Sequence, residues 1–120
     1  MIVAFASFTG KVKEFSSHLD FKTVHIDSDT IVDEPFVLIT YSIGFGQVPV
    51  EVDDFLDNNS DNMVGVVGSG DRIWGNNFCR GARIVSEEFN VPLLHTFEKS
   101  GLNSDVEIVN NKIRELERMK

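Results

Sequence analysis

The chain has a single cysteine, Cys79, so no disulfide can close within it. A reducing compartment is the expected setting. Positive charge is also scarce: 11 lysines and arginines stand against 19 aspartates and glutamates, a net charge of −8. Without a basic stripe, a nucleic-acid backbone and an anionic membrane surface are both poor partners. A small phosphate is still admissible, because backbone amides gathered in one loop outweigh a distant net charge. No apolar run approaches a membrane span. The opening residues, MIVAFASFTGKVKEF, lack the charged start and small-residue cleavage site of a signal peptide. The expected location is cytoplasmic. Repeats, low-complexity segments and linkers are absent too. The 120 residues, 42% of them hydrophobic, predict one domain spanning 1–120 with a core of its own.

Catalytic and metal-binding patterns are missing as well. No Walker A loop and no nucleophile–base pair can be found. His18, His25 and His95 share no ligand spacing with a carboxylate or with Cys79. Cys79 falls in a helical pattern and reads as a packed small residue rather than a redox thiol. Ser7 and Tyr41 stand at strand ends where a response regulator needs acidic residues.

Four apolar runs are present, IVAFA at 2–6, FVLITY at 36–41, MVGVV at 63–67 and VPLLHTF at 91–97. They are near-continuous rather than alternating, as in strands buried on both faces of a parallel sheet. A weaker run, KTVHI at 22–26, reads as an edge strand because Lys22 and His25 interrupt it. Helical spacing appears in Val12, Phe15 and Leu19, and in Val52, Phe55 and Leu56 after Pro49. It recurs in Phe78, Ala82, Val85 and Phe89, and in Val106, Val109, Ile113 and Leu116, with Ser104 and Glu107 as a candidate capping box. The alternation predicts an α/β sandwich on a five-stranded parallel sheet. One segment resists. Only DSDTIVDEP, at 27–35, separates the second and third strands, which is short for a parallel crossover. Either a compact loop crosses there or the edge strand is misplaced.

In such sheets ligands sit beyond the carboxyl ends of the strands, which singles out four loops. At 7–11, SFTGK offers hydroxyls and backbone N–H groups to an anion, or else Thr9 simply caps the following helix. At 42–48, Gly44 and Gly46 flank Phe45, either for close approach of a flat ligand or as a flexible turn. At 68–77, glycines surround the only tryptophan, Trp74, which can stack on a planar ring or anchor the loop. Asn76 and Asn77 there offer amide contacts or a helix cap. At 98–103, Glu98 and Gly101 read as ligand neighbours or as a solvated carboxylate and a turn. A phosphate seat followed by two glycine-rich aromatic loops is the plan of a mononucleotide with a planar ring system, and flavin mononucleotide (FMN) fits it best.

On these stretches the chain resembles the NrdI family, flavodoxin-like proteins that serve class Ib ribonucleotide reductase. The matching segments are SFTG at 7–10, PFVLITY at 35–41, FGQVP at 45–49, SGDRIWGNNF at 69–78, VPLLHTFE at 91–98 and SG at 100–101. They cover nearly the whole chain in order. The resemblance implies a flavodoxin-like three-layer sandwich with sheet order 2-1-3-4-5 and one bound FMN. By matching position, Ser7, Phe8, Thr9, Gly10, Lys11 and Val12 would hold the phosphate. Thr40, Tyr41 and Ser42 would line the ribityl and ring side, and Gly44, Phe45 and Gly46 the ring edge. Ser69, Gly70, Asp71, Trp74, Gly75, Asn77 and Phe78 would border the isoalloxazine, with Glu98 and Gly101 near the same mouth. The resemblance further implies an accessory redox protein. It would reduce dioxygen to superoxide for the dimanganese radical-generating subunit, which then forms its tyrosyl radical. The metal belongs to that partner, a reductant is the other partner, and a monomer is expected. A general flavodoxin-type electron carrier and a non-catalytic nucleotide-binding module are the competing readings. Two positions depart from most relatives, which carry asparagine where this chain has Lys11 and Asp71. A carboxylate beside the ring would repel an anionic reduced flavin and shift its potential, unless Asp71 turns to solvent or pairs with Arg72.

Overall fold

The apolar runs become five parallel strands in the computed structural model, which describes residues 1–119. In chain order the elements are β1 (Ile2–Phe5), α1 (Lys11–Ser17), β2 (Lys22–His25), β3 (Phe36–Thr40), α2 (Val50–Asn59), β4 (Met63–Gly70), α3 (Arg80–Phe89), β5 (Leu93–Glu98) and α4 (Asn103–Arg118). Short 3₁₀ turns, Ser60–Asn62 and Arg72–Asn77, precede β4 and α3. The sheet order is β2-β1-β3-β4-β5. β1, β3 and β4 are therefore interior, and their side chains are buried on both faces, which is why they read as continuous apolar runs.

Alternate strand residues feed two cores. Ile2, Ala4, Phe36, Leu38 and Val66 pack beneath α2 and α3, against Val52, Phe55, Ala82 and Val85. Val3, Phe5, Val37, Ile39 and Val67 pack beneath α1 and α4, against Val12, Phe15, Val109 and Ile113. In the second core the rings of Phe15 and Phe97 stack with centroids 3.9 Å apart. Each such fully buried side chain stabilises the fold by about 1.5–3 kcal/mol.

The short connection between β2 and β3 is a compact loop, and the edge strand is correctly placed. The loop passes over β1 on the α2 face, burying Ile26 and Val32 in that core. Asparagines hold it where a crossover helix would otherwise bond itself. Asn59 Oδ1 accepts the Val32 N–H at 2.7 Å, while Asn59 Nδ2 donates to the Thr30 carbonyl at 2.8 Å. Asn62 Nδ2 donates to the Val32 carbonyl at 3.1 Å. Side chains thus satisfy backbone groups that a buried loop would leave unpaired.

Several local expectations are corrected. α4 does not start on a Ser104–Glu107 box: its N-cap is Leu102, whose N–H donates to Asp105 Oδ2 at 2.8 Å. Thr9 does not cap α1, since the N-cap is Gly10 at φ 89° with no side-chain bond. α3 starts at Arg80, so Phe78 and Cys79 precede it. Cys79 sits at φ 53°, which stops the helix from extending backward. Asn76 and Asn77 belong to the 3₁₀ turn rather than capping α3. β4 continues three residues past its apolar run to Gly70, because Ser69 and Gly70 pair with Phe97 and Glu98. No described helix is long and apolar enough to cross a membrane.

Candidate functional site

The carboxyl ends of β1, β3 and β4 open into a cavity of about 590 Å³, within the range of small-molecule sites. Three of the four loops singled out in the sequence supply most of its lining.

The first loop contributes Ser7, Phe8, Thr9, Lys11 and Val12. Gly10 lies behind them, supplying the left-handed turn that starts α1. Ser7 Oγ accepts the Lys13 N–H at 3.3 Å, tying the loop to the helix's first turn. Among the described residues, the N–H groups of Thr9, Gly10, Lys11 and Val12 meet no acceptor of the chain. Donors of this kind need water or a ligand oxygen.

The second loop contributes Tyr41, Ser42, Gly44 and Gly46. It is a tight turn rather than a flexible one. Ile43 and Gln47 exchange backbone bonds, N–H to carbonyl, at 2.9 and 2.7 Å. Gly46, at φ 103°, lies so near α3 that a Cβ would come 2.7 Å from Arg80 Cβ. Ser42 Oγ accepts the Gly81 N–H at 2.9 Å, joining the loop to α3. Phe45 is outside the cavity and exposed, meeting Trp74 edge-on. Thr40 is fully buried and its hydroxyl donates to the Tyr41 carbonyl at 2.9 Å, so it also stays outside.

The third loop contributes Ser69, Gly70, Asp71, Trp74 and Asn77. Gly75 and Phe78 turn the other way, to a second concavity beside β5. Asp71 Oδ1 accepts the Ile73 N–H at 3.1 Å. Asp71 does not pair with Arg72, which instead sits 3.9 Å from Glu98 Oε1 and lies over the Phe78 ring at 4.7 Å. Glu98 is drawn away from the cavity by that pair and by the Arg72 N–H, 3.1 Å from its Oε2. Gly101, at φ 74°, is packed behind the site against Phe15 and Phe97.

Three lining residues escaped sequence reasoning: Ile43, Cys79 and Lys99. Lys99 follows β5 at φ 58°. Its N–H donates to the Gly70 carbonyl at 2.8 Å and its carbonyl accepts the Ser69 hydroxyl at 2.6 Å. The Ser100-Gly101 turn beside it was the available signal. Cys79 is almost wholly buried under the cavity floor, and burial pushes its thiol up to about 12. Its place at the floor depends on a left-handed backbone that no residue type advertised. Tyr41 donates its phenol O–H to Glu51 of α2, and burial with that carboxylate pushes the phenol above its ordinary value. No cluster of three or more metal-ligating side chains occurs among the described residues.

A five-stranded parallel sheet in this order, with an aromatic-walled cavity beyond β1, β3 and β4, defines a flavodoxin-like protein. A short-chain flavodoxin associated with a non-canonical PDU bacterial microcompartment superposes with a TM-score of 0.76. That match covers 98% of this chain and 96% of the flavodoxin at 21% identity, a likeness of fold. The family described as "NrdI Flavodoxin like" matches residues 3–111. Protein NrdI of Bacillus licheniformis is 40% identical over 112 residues, covering 92% of this chain and 86% of that protein. Protein NrdI of Macrococcus caseolyticus is 38% identical over 117 residues, covering 97% and 91%. The chain belongs to the NrdI flavodoxin-like family.

Proposed function

We propose that the chain binds FMN in this cavity and serves as the flavoprotein activator of a class Ib ribonucleotide reductase. The supporting observation is the cavity itself, built by the same loops that carry the family's segments. Its donor set suits the cofactor. Trp74 and Tyr41 offer flat apolar walls to a ring, and Ser69 and Gly70 a backbone edge. Ser7, Thr9 and the unpaired N–H groups of residues 9–12 offer hydrogen bonds to a phosphate at the other end. Lys11 adds a positive charge at that end.

When bound and reduced, the flavin would supply one-electron reduction of dioxygen, yielding superoxide for the dimanganese radical-generating subunit. The chain's own residues hold, orient and shield. The 43–47 turn is braced on α3 by Gly46 and Ser42, which keeps the cavity's edge open in a fixed shape. Exposed Phe8 and Phe45 stand at that mouth, Phe8 in the lining and Phe45 against Trp74, where oxygen and a partner would approach.

The test has two stages. Purified protein is mixed with FMN, dialysed and examined for a retained flavin spectrum. Reduced, loaded protein is then added with dioxygen to the manganese-loaded partner subunit, and tyrosyl radical is followed by electron paramagnetic resonance. Retained flavin with radical formation is the expected result. Retained flavin without radical, with fast electron transfer to unrelated acceptors, would make the chain a general carrier. A protein that refuses flavin would be a nucleotide-binding or interaction module of another kind.

A further inference from the structure

Tyr41 is held at both ends. Its backbone follows β3, where the Thr40 hydroxyl donates to the Tyr41 carbonyl at 2.9 Å. Its phenol O–H donates to Glu51 Oε1. Between these anchors the ring lines the cavity, while Glu51 itself does not. The hydroxyl therefore points out of the cavity toward α2. Glu51 is well placed for the task. It stands in the first turn of α2, where a carboxylate is favoured by the helix dipole. That turn is anchored by the Pro49 carbonyl, which accepts the Val52 and Asp53 N–H groups at 3.0 and 3.1 Å. A phenol donating to a carboxylate makes a charge-assisted bond, stronger than a neutral one.

We propose that Glu51 is a positioning residue of the flavin site: by binding the Tyr41 hydroxyl it fixes the ring as a cavity wall and keeps the phenol from bonding to the ligand. This rests on the FMN reading above. Without Glu51 the half-buried hydroxyl must find another acceptor, and the nearby alternatives are water and the ligand's own oxygens. The wall then loses its fixed tilt, so a ligand shaped for the present cavity binds more weakly.

Tyr41 is the only tyrosine in the chain, so tyrosinate absorbance reports on this residue alone. Two measurements on Glu51→Ala, Tyr41→Phe and the double variant test the assignment. In the flavin-free protein, Glu51→Ala moves the tyrosinate titration down toward the ordinary value of about 10. In flavin titrations followed by fluorescence quenching, Glu51→Ala weakens FMN binding by about five-fold, the size of one lost hydrogen bond. The double variant binds no more weakly than the weaker single variant, because both act on one contact. An unmoved titration in a flavin-binding protein, or single effects that multiply in the double variant, overturns the assignment alone. A wild-type chain that takes up no flavin overturns the proposed function and this role with it, even where the titration moves.

Discussion

Phe45 meets Trp74 edge-on, with ring centroids 5.9 Å apart and planes at 87°. The contact joins two loops that are separated by α2 and β4 in sequence, and it lies on the rim of the cavity. Edge-to-face pairs contribute about 0.5–1.5 kcal/mol beyond the area they bury, less where both rings are partly exposed as here. Phe45→Ala should leave global stability within about 0.5 kcal/mol and free the indole. Trp74 is the only tryptophan, so its emission should shift to the red and lose anisotropy. An unchanged spectrum would mean that the indole is held by the Arg72–Asn77 turn alone.

Gly101 cannot be replaced cheaply. It adopts φ 74°, and an added Cβ would come within 2.7 Å of Phe15 Cδ1 and 3.2 Å of Phe97 Cδ2. Those rings are the stacked pair of the α1–α4 core, so they cannot swing aside. Overpacking of this kind costs about 1–3 kcal/mol, and the left-handed backbone adds to it. Gly101→Ala should lower the urea midpoint with an unchanged slope. A midpoint equal to that of the unchanged protein would show that the core yields at Phe15.

The layered fold was legible because burial writes directly into residue type. β1 and β3 are apolar at every position or nearly so, β4 is apolar or glycine through Gly68, and Lys22 and His25 mark β2 as an edge. The cavity's loops were legible for a different reason: glycine and lone aromatics are uncommon at strand ends without cause. Direction within a loop was not legible. Phe45, Gly75 and Phe78 carry the same sequence signal as Trp74, yet only Trp74 among these four lines the cavity. Helix starts were missed where the cap is a left-handed backbone with no side-chain bond, as at Gly10 and Cys79, and at Leu102, where the capping side chain is Asp105 inside the helix rather than the N-cap residue. The Tyr41–Glu51 bond joins residues ten apart through a turn whose shape is set by Gly44 and Gly46. No periodicity encodes such a contact.

Among the described residues Asp71 lines the cavity with no basic partner, its carboxylate answered only by the Ile73 N–H. Arg72 is spent on Glu98 and Phe78. On the FMN reading, an electron added to the ring therefore meets a nearby negative charge. Asp71→Asn keeps the acceptor for Ile73 and removes that charge. At a partly solvated separation the relief is about 1 kcal/mol, or about 40 mV for one electron. Spectroelectrochemical titration should show a more positive potential, least so at high salt. A potential that does not move would mean that solvent screens the carboxylate.

Cys79 should be inert in the folded protein. Its thiol is buried, and burial pushes it up to about 12, so almost no thiolate exists near neutral pH. Iodoacetamide should label it only at the rate of unfolding. Bound FMN should slow labelling further, since Cys79 lies at the floor of the cavity. Rapid labelling under native conditions would reveal opening of the turn that precedes α3.

Asp105 couples the start of α4 to β5. Its Oδ1 lies 2.8 Å from His95 Nε2, and its Oδ2 accepts the Leu102 N–H at 2.8 Å. Burial alone would push this carboxyl up, but the His95 bond and the Leu102 N–H outweigh it and hold it below its ordinary value of 3.8. A carboxyl whose folded value is depressed binds its proton more weakly in the folded state than in the unfolded chain. Its contribution to stability is therefore fully present above the unfolded value and is lost as pH falls through the lower folded one. Stability of the unchanged protein should drop from about pH 4 downward, partly through this group. Asp105→Asn retains an acceptor for Leu102 and removes the charge, so its urea midpoint should fall less steeply over that range. Asp105→Ala also loses the cap and should cost about 1 kcal/mol at neutral pH. Parallel pH profiles for the unchanged protein and Asp105→Asn would assign the acid sensitivity to other carboxylates.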